Sequence, residues 1–242
     1  MSDTNSLDLL FLGSGNAFGA NGHAFSSFLL NGRYLFDCGP TVMQQLQKAA
    51  IPSNDIDVVF ISHFHADHFF GLPFIALDGR YKGRSRELVI VGPPGIEQQT
   101  EALLTIGYPQ LIDDGGFPRR YLEVHDGIEA EACGIGFSAA RVEHVPNLEC
   151  YAYRAEIDGR SVVYSGDTIL CGGLLRLVSG ADVVVTECSS RAVPVHLSPA
   201  GVAEVAHHAP GAKVIVTHLD GLEQPGNFEG LIVAEDLARY TL

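Results

Sequence analysis

The sequence predicts a mixed α/β fold in which two β-sheets pack face to face with helices on the outside. Two β-rich segments, one in the first third and one running from 120 to 165, each give way to helical periodicity. A sheet that buries one face against a second sheet covers its other face with helices. Composition supplies the third observation: of 242 residues, 46% are hydrophobic and 18% charged, and mean hydropathy is slightly positive. That is ample material for a core and excludes global disorder. No repeat, low-complexity run or Pro/Gly/Ser-rich linker interrupts the chain, so residues 1–242 are expected to form a single domain.

The elements follow in order. LDLLFLG (7–13) reads as an opening strand, and FSSFLL and YLFDCG form a hairpin about Asn31-Gly32, a pair that tolerates positive φ. TVMQQLQKAA (41–50) is a helix ended by Ile51-Pro52. The continuous apolar runs IDVVFIS (56–62) and LVIVG (88–92) are buried strands, and GIEQQTEALLTIGY is a helix before an acidic loop at 113–116. YLEVHDGIEAEA turns at Asp126-Gly127 and is expected to be a hairpin exposing His125, and CYAYRAEIDGRSVVYSGD turns at Asp158-Gly159. LLRLVSG (helix), ADVVVTE (strand), SPAGVAEVAHHA (helix capped by Ser198 with Pro199 first), KVIVTHL (strand) and EGLIVAEDLARYTL (helix) complete the chain.

Several function classes recede on these grounds. The N-terminus lacks the basic and long apolar regions of a secretory signal, and no stretch approaches a membrane span. The five scattered cysteines, Cys38, Cys133, Cys150, Cys171 and Cys188, lack CxxC spacing and suit reduced thiols, so the expected location is the cytoplasm. A net charge of −14 opposes a broad nucleic-acid surface, because such affinity rests on Lys and Arg neutralising phosphates.

The chemistry concentrates in ISHFHADHFF (61–70), where His63, His65, Asp67 and His68 follow a buried strand. Side chains alternate along an extended start, so His63 and His65 point the same way, and a turn into a helix brings Asp67 and His68 to a neighbouring point. Two nitrogens for one ion and an oxygen plus a nitrogen for a second suit a borderline cation such as Zn²⁺, with manganese and iron also open. Four residues do not complete two coordination shells, so further ligands are required at other strand ends. His144 follows IGFSAARVE, Asp167 ends SVVYSGD and His218 ends KVIVT.

FLGSGNAFG, LFDCGP, VVFISHFHADHFFGLP, His144, VVYSGDT, VVVTECSS, VHLSP and VIVTHL occur in an order that resembles the metallo-β-lactamase superfamily, and within it the ribonuclease Z-like phosphodiesterase branch. The resemblance covers nearly the whole chain and implies the four-layer αββα sandwich. It assigns His63, His65 and His144 to one metal, Asp67, His68 and His218 to a second, and Asp167 to both. It also makes His196 a transition-state stabiliser or leaving-group acid oriented by Glu187, although Thr186 stands where the family's H-E-A-T segment has histidine. The transfer-RNA nucleases of this branch carry a long arm between the counterparts of His144 and Asp167, whereas 22 residues separate them here.

The resulting expectation is a dinuclear hydrolase with a bridging hydroxide, Asp67 taking its proton, acting on small phosphodiesters such as cyclic nucleotides. Its partner is a small-molecule ester, with neither extended nucleic acid nor a membrane, and a homodimer is common among such proteins. The alternatives are a lactone, thioester or sulfate-ester hydrolase of the same fold, a tRNA 3′-processing endonuclease, and a non-catalytic metal-binding sensor. Gly13, Gly15 and Gly19 permit a tight loop near the metals, while His23, His125 and His207-His208 are expected to face solvent.

Overall fold

The computed structural model describes residues 6–113, 116–189, 193–220 and 228–242. The apolar runs become strands β1 (Asp8–Gly13), β2 (Ser27–Leu30), β3 (Tyr34–Phe36), β4 (Val58–Phe60), β5 (Leu88–Gly92) and β6 (Arg119–Glu123), which form one sheet. A second sheet holds β7 (Glu129–Ala132), β8 (Ile135–Val142), β9 (Cys150–Ile157), β10 (Arg160–Tyr164), β11 (Val183–Glu187), β12 (Lys213–Thr217) and β13 (Leu231–Val233). The last strand, β14 (Arg239–Thr241), returns to the first sheet beside β1. Each sheet changes from antiparallel to parallel pairing partway across: β3 to β6 run parallel in one, β10 to β13 in the other.

Strand alternation sorts each run between two cores. Phe11, Phe28, Phe36 and Phe60 point between the sheets and stack in sequence at 5.4, 4.6 and 4.8 Å. Tyr164, Phe137 and Tyr153 of the facing sheet meet this ladder, the first two edge-on, and such pairs add about 0.5–1.5 kcal/mol each beyond area burial. The intervening Leu10, Leu12, Leu29, Leu35, Val59 and Ile61 point outward into a second core with helices α1 (Val42–Lys48) and α3 (Leu72–Tyr81). The opposite outer face packs α6 (Gly172–Val178) and α7 (Pro199–His208) over Ala140, Val163, Val184 and Val214. With both faces of both sheets covered, the layers read αββα, as expected.

Most predicted elements form, including α4 (Ile96–Gly107), and Ser198 caps α7 by accepting from the Gly201 amide. Residues 114 and 115 of the expected acidic loop lie outside the described residues, and the loop is preceded by a short helix, α5 (Gln110–Asp113). Two expectations fail. The segment EGLIVAEDLARYTL is not a helix: Leu231-Ile232-Val233 adds a parallel edge to β12, and Arg239–Thr241 an antiparallel edge to β1. Without these strands β1 and β12 would end their sheets with unpaired backbone groups, which an added strand satisfies and a helix does not. The turn at Asp126-Gly127 exists, but it joins β6 to β7 across the two sheets and is no hairpin, although His125 is exposed there as expected.

Candidate metal centre

The carboxyl ends of the strands meet at one rim of the sandwich, and the predicted ligand residues gather there. His63 follows β4, His144 follows β8, Asp167 follows β10 and His218 follows β12, while the helix α2 (Ala66–Phe69) carries Asp67 and His68 with His65 at its N-cap. Three groups of ligand-type atoms result, each with atoms within 4.8 Å of one another: His63, His65, His144 and Asp167; beside them Asp67, His68 and His218; and Asp167, Glu187, His196 and His218. Asp167 lies between the groups, its Oδ1 3.4 Å from His68 Nε2 and its Oδ2 3.3 Å from His218 Nε2 and 3.9 Å from His144 Nε2. His218 Nε2 lies 3.4 Å from Asp67 Oδ2, and His65 Nδ1 lies 3.3 Å from His144 Nε2.

The surroundings fix which ring nitrogens face this space. His68 Nδ1 donates to Asp37 Oδ2 at 2.6 Å, and His144 Nδ1 donates to the Val195 carbonyl at 2.7 Å. Ser62 Oγ donates to Asp37 Oδ2, so His63 Nδ1, 2.9 Å away, donates to that hydroxyl. Each Nε2 is thereby left with its lone pair toward the centre, the arrangement metal-binding histidines need. The buried His63 Nε2, His68 Nε2 and Asp167 Oδ1 have no hydrogen-bond partner. Orphaned buried acceptors are costly, and three converging on one space fit divalent cations.

The electrostatics follow the same logic. Burial works against charge on Asp67 and Asp167, but facing histidines outweigh it and hold both carboxyls below the ordinary range. Burial, reinforced by His68, keeps the His63 imidazole neutral. His196, on the loop before α7, has Nδ1 2.8 Å from Glu187 Oε2 at the end of β11. Burial lowers its pKa, yet the hydrogen bond and charge of Glu187 prevail and raise it to about 9. Glu187 is fixed in turn by accepting from the Thr168 amide at 2.6 Å. A cavity of about 370 Å³ opens over His196 and His218.

Sequence reading assigned no role to Asp37, although LFDCGP contains it. It is fully buried and accepts from the Ser62 amide, the Ser62 hydroxyl, Tyr164 and His68. The available signal was an aspartate ending the apolar run Tyr34-Leu35-Phe36; in the structure it sits at positive φ (55°). His23, expected to face solvent, is half-buried with Nδ1 3.3 Å from Asp236 Oδ1, because the C-terminal strands bring Asp236 against its loop. His207 and His208 are exposed on α7, and Cys38 and Cys188 are buried, with burial pushing the Cys38 thiol up.

Fold and site together define a metallohydrolase of the metallo-β-lactamase superfamily, in its ribonuclease Z-like branch. The chain is 27% identical to "Ribonuclease BN" of Citrobacter koseri, over 88% of this chain and 89% of that protein. Its fold matches the metallo-β-lactamase fold protein YhfI from Bacillus subtilis with a TM-score of 0.78 at 19% identity, covering 98% of this chain and all of that one. The human tRNase Z short form matches at 0.77 and 22% identity, over 96% and 98% of the two chains. Residues 7–224 match the family described as "Anti-Pycsar protein Apyc1", and the chain belongs to that family.

Proposed function

We propose that the protein is a dinuclear phosphodiesterase that hydrolyses small phosphodiesters, cyclic nucleotides foremost, with His63, His65, Asp67, His68, His144, Asp167 and His218 holding two zinc ions. The observation that carries this reading is the convergence of the three orphaned atoms, His63 Nε2, His68 Nε2 and Asp167 Oδ1, beside the Glu187–His196 pair. When bound, two divalent ions supply an activated water and neutralise the charge of a phosphodiester. The protein contributes the rest. In this reading Asp67 would hold the attacking water and accept its proton, and His196, kept protonated by Glu187, would donate to the departing or non-bridging oxygen.

The span between His144 and Asp167 favours a small substrate. It contains a short loop and the β9–β10 hairpin, with no room for an extended RNA-gripping arm. The charge of −14 works in the same direction. A cytoplasmic setting, in keeping with five free cysteines, and a homodimer complete the reading. The ribonuclease names of the relatives and the tRNase name of a solved neighbour favour a second reading, action on transfer RNA as a 3′-processing endonuclease.

Metal analysis followed by hydrolysis assays decides between them. The expected outcome is two ions per chain, turnover of 3′,5′-cyclic nucleotides and of chromogenic phosphodiesters, and no cleavage of precursor transfer RNA. Turnover of lactones, thioesters or sulfate esters with inert phosphodiesters overturns the proposal. So does a metal-loaded protein silent on every ester, which marks a sensor.

A further inference from the structure

The cavity over His196 and His218 has one wall that the metal chemistry does not use, the glycine-rich loop after β1. Phe18 on that loop is 90% exposed, the most exposed large hydrophobic among the described residues, and it lines the cavity together with Asn16 and Ala20. A phenyl ring held in water is unfavourable, so an ordered loop that presents one at the mouth of a site calls for an occupant.

The loop is built to hold the ring there. Asn16 Oδ1 accepts from the Phe18 amide at 3.1 Å, and the turn continues through left-handed Gly19 (φ 57°) and Asn21 (φ 56°). Its ends are tied to the site, the Asn16 amide donating to the Leu219 carbonyl, one residue beyond His218. From the other side Asp236 accepts from the Ser14 amide and hydroxyl at 2.9 and 2.8 Å and from the Ala24 amide at 2.7 Å. Substituting Gly13 would drive a Cβ into the Phe25 carbonyl at 2.1 Å, so the loop's two arms pack backbone to backbone.

We propose that Phe18 is a specificity-determining residue whose ring stacks on the face of the substrate's nucleobase while the phosphodiester lies at the metals. This rests on the phosphodiesterase reading and narrows it to esters that carry a planar base. A phenyl group has no hydrogen-bonding atom, so it recognises a π-face and not a second phosphate. Asn16, Ser189 and Asp220 supply polar groups to the same cavity, where a base presents its edge, and about 370 Å³ suits a nucleoside-sized body.

The test compares the metal-loaded wild type, Phe18→Ala and Phe18→Tyr on a 3′,5′-cyclic nucleotide and on the base-free deoxyribose 3′,5′-cyclic phosphate. Phe18→Ala is expected to raise KM for the nucleotide about ten-fold, the effect of losing one base–aromatic stack, with kcat changed less than about two-fold. KM for the base-free ester stays as in wild type, and Phe18→Tyr restores the nucleotide KM. Because the ring is exposed, neither variant threatens the fold. An equal rise for both esters, or no rise for the nucleotide, overturns this inference alone. A wild-type enzyme that cleaves neither ester overturns the phosphodiesterase reading and this inference with it.

Discussion

Asp37 Oδ2 lies 2.6 Å from His68 Nδ1 and 2.6 Å from the hydroxyl of Tyr164, so one buried carboxylate ties the end of β3 to a candidate ligand and to the facing sheet. Removing it leaves the Ser62 amide, Tyr164 and His68 without their acceptor in a dry interior. Asp37→Ala is expected to weaken metal binding about 10- to 100-fold, as loss of an orienting partner does. It also destabilises the fold by on the order of 3 kcal/mol. Asp37→Asn fails at the metal too, since an amide puts a donor where one of four donors must be received. Competitive chelator titration and thermal melts check both; unchanged affinity in Asp37→Ala would remove the orienting role.

Asp67 faces the candidate second metal and the attacking water. Asp67→Ala is expected to lower turnover by on the order of 10³-fold or more while circular dichroism stays that of wild type. Wild-type turnover in the variant would sink the two-metal reading.

Chelation tests the same centre through stability. Asp67 and Asp167 carry mutually repelling carboxylates, and each is held charged by neighbouring histidines. An ion that binds only the folded chain at a hundred times its Kd adds about 2.7 kcal/mol, or about 5–10 °C in Tm for a chain of this size. Melts with chelator are expected to drop by that much per ion and to recover with added Zn²⁺. A Tm indifferent to both argues against resident metals.

His196 and Glu187 separate by leaving group. His196→Ala and Glu187→Gln are expected to lower kcat about 10²- to 10³-fold with metal content unchanged, the glutamine retaining an acceptor for the Thr168 amide. If His196 is the leaving-group acid, the loss vanishes for p-nitrophenyl esters, whose leaving group needs no proton. If it stabilises the transition state, the loss is the same for good and poor leaving groups.

The sequence made the site legible where one rule applied: an apolar run ending in a His or Asp. That rule placed His63, His144, Asp167 and His218 at strand ends, and they meet at one rim. Asp37 ends the apolar run Tyr34-Leu35-Phe36 in the same way, but its role as a shared acceptor appears only when Tyr164 and Ser62 arrive from distant parts of the chain. The tail was misread for a related reason. LIVAEDLARYTL carries a helical spacing of apolar residues, and only the two unpaired sheet edges, which no local pattern encodes, make it two strands. Asp126-Gly127 shows the same limit, because a turn signal does not say which sheet the chain enters next.

Gly39 connects the Asp37 turn to the helix that carries Asp67 and His68. The Cys38 amide donates to the His68 carbonyl and the Gly71 amide to the Cys38 carbonyl, both at 2.7 Å, which presses the turn flat against α2. A Cβ at Gly39 would sit 1.9 Å from the Asp67 carbonyl oxygen, and one at Gly71 would sit 2.3 Å from the Gly39 carbonyl. These are backbone atoms that no rotamer change can move aside. Gly39→Ala must therefore shift α2 outward, at a cost of about 1–3 kcal/mol, and carries Asp67 and His68 with it. His63 and His144 lie on other segments and His65 stands only at the N-cap of α2, so the variant is expected to retain one ion and lose the other. Gly172→Ala, whose Cβ meets nothing within 4 Å, serves as the control and keeps both. Two ions per chain in purified Gly39→Ala would mean that α2 adapts and that the close approach does not set the second site.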